Sequence, residues 1–167
     1  MPLPTRWPKK VEITLIEPNP DRLKRLLKPT DLQRVTLLEQ KVQQTPLDLF
    51  ASLNPDDLSF IDSSHVVKCG SDVAFLLFDV LPRVRVGVYV HFHDIMLPFE
   101  YPEEWLRDRW FWNEAYFLRA FLSHNDAWEV VFFNNYVRTY AEDFLKEKMP
   151  LCLKDVGGSL YIRRIAA

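Results

Sequence analysis

Asp62 and His65 stand three residues apart, directly after the apolar run Leu58-Ser59-Phe60-Ile61. A second apolar run, Val86-Gly87-Val88-Tyr89-Val90, continues into His91-Phe92-His93-Asp94. An unperturbed imidazole titrates near neutrality, so it can take up or release a proton at physiological pH. Carboxylates are the oxygen ligands that a hard divalent cation prefers. Two apolar segments that each end in such groups suggest a shared site, because ligands of open α/β sheets bind outside the carboxyl ends of strands. The expectation is that Asp62, His65 and Asp94 converge in one pocket, with His93 and the aromatic interval 96–112 on its rim. Each residue also has a plainer reading. Asp62 can cap the segment after it, and His65 can be hydrogen-bonded at a helix start. His91 and His93 alternate onto one strand face. Such a pair can bind Zn²⁺, but catalysis needs three protein ligands and an open position.

The elements that must place these residues alternate along the chain. Val11–Ile16 is a strand by its alternation and β-branched content, ended by Glu17-Pro18-Asn19-Pro20. Asp21–Lys28 reads as a short helix, and Arg34–Leu38 as a second strand. Thr45 is placed to cap a helix over Pro46–Leu53. Leu58–Ile61 suits a strand buried on both faces. Val67–Val80 has the apolar spacing of a helix, and 86–92 is a fourth strand. Residues 95–112 read as a long ordered loop with a helical turn near Glu103–Arg107. Asn113 can cap a helix to about Ser123. Trp128–Phe133 is a strand, Tyr136–Lys146 a helix, Gly157-Gly158 a turn and Ser159–Ile165 a last strand. This order predicts an α/β fold, doubly wound around a mostly parallel sheet, with an antiparallel pair at one edge.

Bulk properties exclude several classes. A chain of 167 residues has room for one domain, here 11–167 behind an irregular lead-in over 1–10. The net charge of −2 gives no electrostatic case for nucleic acid. No apolar run approaches the ~20 residues that span a bilayer. Two cysteines imply no framework of bridges, so a reduced, cytoplasmic setting is the default.

Four motifs in order, Ile16-Glu17-Pro18-Asn19-Pro20, Ile61-Asp62-Ser63-Ser64-His65, a helix holding Asp72, and Val90-His91-Phe92-His93-Asp94-Ile95, carry a family resemblance. Together they resemble the class I S-adenosylmethionine-dependent methyltransferases, nearest the branch with sugar O-methyltransferases and cephalosporin-hydroxylase-like proteins. The resemblance implies a Rossmann-like fold and transfer of a methyl group to a hydroxyl of a small-molecule acceptor. It places Glu17 on the cofactor ribose, Glu39 and Gln40 near the adenine, and Asp62 near the methionine end. It implies His65 and Asp62 as catalytic residues, and Asp62, Asp94 and His93 as the positions of a Mg²⁺ site.

The family begins with a strand and a glycine-rich turn, and only glycine makes that close approach to the cofactor sterically cheap. Here no glycine precedes Gly70. The expectation is therefore a sheet lacking its first β-α unit and weak binding of S-adenosylmethionine. An alternative is a non-catalytic remnant acting as a binding module, whose exposed sheet surface would favour self-association. A metal-dependent hydrolase built on His91, His93 and Asp62 ranks last.

Overall fold

The computed structural model describes residues 11–155 and 157–167; the lead-in expected over 1–10 lies outside them. One compact unit ends at Thr45 and the second spans Pro46–Ala167.

In the first unit, β1 (Ile13–Ile16) pairs in parallel with β2 (Val35–Leu38), with Ile13 opposite Val35 and Ile16 opposite Leu38. Helix α1 (Asp21–Leu26) makes the crossover, begun by the proline-bounded turn after β1. Thr45 does not cap the helix that follows it. Its Oγ accepts a hydrogen bond from Gln40 Nε2 at 3.1 Å, and α2 (Leu47–Ala51) begins after Pro46.

The second unit holds a four-stranded sheet in the order β3 (Leu58–Ile61), β4 (Tyr89–His93), β6 (Ser159–Arg164), β5 (Trp128–Phe133). β3 and β4 are parallel, while β6 runs antiparallel to both of its neighbours. The last two strands thus form the expected antiparallel edge pair, and β6 is the inner one. The chain is of the α/β, Rossmann-like class that the alternation of elements predicts. Ile61, Val90, Phe92, Leu160 and Ile162 line one face of the sheet and are buried; Val73, Leu77, Val80, Ala115 and Leu118 complete this core.

The opposite face departs from expectation. Leu58 is 51% exposed and Phe60 58%, so β3 is buried on one face only. A four-residue run cannot show whether both of its faces find partners, since that depends on what packs above and below. The helix expected over Val67–Val80 starts later, as α3 (Asp72–Phe75), because Ser71 Oγ accepts from Ala74 N at 3.1 Å and fixes the N-terminus there. The chain then widens into a π-helical turn, Leu76–Val80, and leaves through a 3₁₀ turn at Leu81–Arg83 containing Pro82. Further on, α4 (Glu103–Arg107) and α5 (Glu114–Ser123) lie where expected. The helix expected over 136–146 breaks at Ala141 into α6 (Asn134–Tyr140) and α7 (Glu142–Lys148).

Candidate active site

Because β3 and β4 are parallel and Ile61 lies opposite Phe92, the residues after each strand leave the sheet at the same carboxyl end. Asp62 follows β3 and Asp94 follows β4. His65 turns back between them. Its Nε2 lies 3.4 Å from Asp62 Oδ1 and 3.9 Å from Asp94 Oδ2. One ligand atom from each of the three residues lies within 4.8 Å of the others. The three side chains converge as expected, but they do not share one pocket: Asp94 lines a neighbouring cavity, whereas Asp62 and His65 do not.

Two of these residues sit in strained backbone. His65 has φ 57° and Asp94 φ 56°, in the left-handed region. For non-glycine residues this costs on the order of 1–3 kcal/mol and persists only where the surroundings over-determine it. At His65 they do. Its carbonyl accepts from Asn113 N at 3.0 Å and Glu114 N at 3.2 Å, at the start of α5, and its own N–H donates to Ser63 Oγ at 3.0 Å. Ser64 N donates to Asp72 Oδ2 at 2.7 Å, and Val67 N to Asn113 Oδ1 at 2.6 Å. At Asp94 the support is Gly158: Ile95 N donates to its carbonyl at 3.1 Å. A Cβ on Gly158 would lie 3.1 Å from Asp94 Cα and 2.7 Å from Met96 Cε, so any larger residue here would press on the Asp94 backbone and displace the end of the Met96 side chain.

Behind the imidazole stands a residue the sequence did not single out. His65 Nδ1 lies 2.8 Å from Glu114 Oε2, and Ser63 Oγ donates to the same oxygen at 3.0 Å. Glu114 is only 1% exposed. At the start of α5 it looks like an ordinary acidic first-turn residue, favoured there by the helix dipole. The signal that marks it is its place four residues before Leu118, on the buried stripe of the helix. Burial opposes charging of the His65 ring. The hydrogen bond and charge of Glu114 outweigh it, aided by Asp94 and Asp62, and hold the His65 pKa above its ordinary value. Trp112 covers the ring at a centroid distance of 4.1 Å.

His93 does not join the group of three. Its side chain is 40% exposed, with Nε2 3.7 Å from Asp94 Oδ1. It lines a neighbouring open cavity of about 630 Å³, together with Asp94, Met96, Leu97, Tyr101 and Trp105. The first half of the aromatic interval thus walls a pocket beside the three residues. Farther along, Trp110 and Phe111 are exposed. His124 is exposed too, outside the group.

In the first unit, Glu17 leaves the carboxyl end of β1, its N–H donating to Leu38 O at 3.0 Å. Its Oε1 accepts from Asn19 N at 2.7 Å. Glu39 pairs with Lys24 at 2.6 Å, and the Gln40 amide is held by Thr45.

A family model described as a methyltransferase domain matches residues 6–95, more than half of the chain. The chain belongs to this methyltransferase-domain family. No curated protein and no solved structure matches it. The matched segment contains Glu17, Glu39, Gln40, Asp62, His65, His93 and Asp94. Glu114 lies beyond it. Among the described residues, no helix is long and apolar enough to cross a membrane.

Proposed function

We propose that this methyltransferase-family chain uses S-adenosylmethionine to methylate a hydroxyl group of a small-molecule acceptor. The observation that carries the reading is the convergence of Asp62, His65 and Asp94 where two parallel strands end, beside an open, aromatic-walled cavity. The cofactor supplies a sulfonium methyl as electrophile, so the protein has only to orient the acceptor and remove its proton.

His65 Nε2 would take the proton of the acceptor hydroxyl while that oxygen gains the methyl group, the methyl–sulfur bond breaking and S-adenosylhomocysteine leaving. Asp62 and Asp94 suit a Mg²⁺-type ion, which needs one or two carboxylates and completes its shell with water. Such an ion would lower the pKa of a bound hydroxyl. Tyr101 and Trp105 give the acceptor an apolar wall. Glu17 is the candidate ribose ligand, because a carboxylate accepts from both hydroxyls of a diol. The expected setting is cytoplasmic.

A second reading is a non-catalytic binding module. It draws on the exposed Leu58 and Phe60 at the sheet edge.

Titration calorimetry of the purified chain with S-adenosylmethionine, followed by a transfer assay against hydroxylated acceptors, separates the two. Binding that weakens about tenfold or more in Glu17→Ala supports the enzyme reading, given ~1.5–3 kcal/mol for hydrogen bonds to a charged group. No heat of binding at millimolar cofactor would favour the binding module.

A further inference from the structure

We propose that Glu114 is a positioning residue that fixes the tautomer of His65, holding the ring proton on Nδ1 and leaving the Nε2 lone pair free to accept. This rests on reading His65 as the proton acceptor of the transfer reaction.

Three carboxylates face one imidazole, each from a different part of the unit. Glu114 on α5 faces Nδ1 at 2.8 Å, while Asp62 after β3 and Asp94 after β4 face Nε2 at 3.4 and 3.9 Å. A neutral imidazole has a single N–H, and ionised carboxylates only accept. The two sides therefore compete for one proton, and its location decides whether the ring can act as a base. Distance favours Glu114, which is within hydrogen-bond range while the other two are beyond it. Solvent favours it as well. The Glu114 side chain is 1% exposed, against 58% for Asp62 and 28% for Asp94, whose pull on the proton water weakens.

The carboxylate is itself held in place. Ser63 Oγ donates to the same Oε2, and the Ser63 hydroxyl in turn accepts from His65 N. Glu114 Oε1, by contrast, is buried with no hydrogen-bond partner among the described residues. A buried carboxylate with one unsatisfied oxygen is a poor stabilising device, since pairs of this kind seldom recover their desolvation cost. Its contribution is orientation: a buried carboxylate behind a catalytic imidazole selects tautomer and ring direction.

The test is two-bond ¹H–¹⁵N correlation spectroscopy on the full chain, at a pH where the His65 ring is neutral. The wild-type ring should carry its proton on Nδ1. In Glu114→Gln the amide can either accept from Nδ1–H or donate to Nδ1, so Asp62 is free to draw the proton to Nε2. The spectrum should shift to the Nε2–H form. Methyl transfer should then fall about 10²-fold or more in kcat, with KM and cofactor affinity unchanged. An Nε2–H ring in the wild type overturns the proposal, and that measurement does not depend on the variant folding. So does an unchanged Nδ1–H ring with unchanged kcat in Glu114→Gln. If the tautomer switches as expected but the wild-type chain transfers no methyl group, the role of Glu114 stands and the reading of the reaction falls.

Discussion

His65 and His91 are each 4% exposed and lie in the same unit, yet their surroundings drive them in opposite directions. His65 sits at the carboxyl end of the sheet among Glu114, Asp62 and Asp94, and its pKa is raised. His91 sits mid-strand on the sheet face opposite the core. Phe60 packs on its ring at 4.2 Å and Tyr161 meets it edge-on at 4.5 Å. Phe132 extends this row across the sheet, 6.0 Å from Tyr161. Burial, and then the neighbouring His93, push the His91 pKa down to about 4, and its Nδ1 has no hydrogen-bond partner among the described residues. Burial alone penalises charge in both places. What reverses the outcome at His65 is a desolvated carboxylate at hydrogen-bond distance.

The contrast has a consequence for pH. His91 is neutral in the folded chain, but its unfolded counterpart takes up a proton below about pH 6.5. It therefore removes stability as pH falls from about 6.5 to its folded value of about 4. His65 has the opposite sign. Its favourable contribution is fully present below about pH 6.5 and is lost as pH rises through its raised folded pKa.

The largest expected effect is on chemistry. His65→Ala should lower methyl transfer by about 10²–10⁴-fold, the usual range for losing a general base, whereas His91→Phe should leave it within a few-fold. Steady-state rates for both variants check this, and equal losses would break the comparison. Next in size is stability in acid. His91→Phe should flatten the decline between about pH 6.5 and 4, recovering up to roughly 3 kcal/mol at the acid end by the rule of ~1.4 kcal/mol per pKa unit. Urea denaturation at several pH values measures it; a variant that declines as steeply as wild type would show that His91 is not the group responsible. The smallest effect concerns the support of Asp94. Gly158→Ala should cost about 1–3 kcal/mol through overpacking against Asp94 and Met96. A lowered urea midpoint with an unchanged slope checks it.

The amino-acid sequence by itself determined the order of elements and the positions where strands end. Those features are local. Alternation sets Ile13–Ile16 and Ser159–Arg164 as strands, and Pro18 and Pro20 stop the first of them. It also placed Asp62 and Asp94 just after strands, and parallel pairing was enough to bring them together. Tertiary structure decided the rest. The helix expected from Val67 leaves out residues 67–70, because the Asn113 side chain takes the Val67 N–H and Ser71 begins α3 instead. Leu58 and Phe60 are exposed because the packing of a strand's second face is not written in its own residues. Glu114 meets His65 across 49 positions of chain. No spacing rule reaches that far: the contact exists only because the start of α5 is bonded to the His65 carbonyl, and the desolvation that gives it force arises only in the packed molecule.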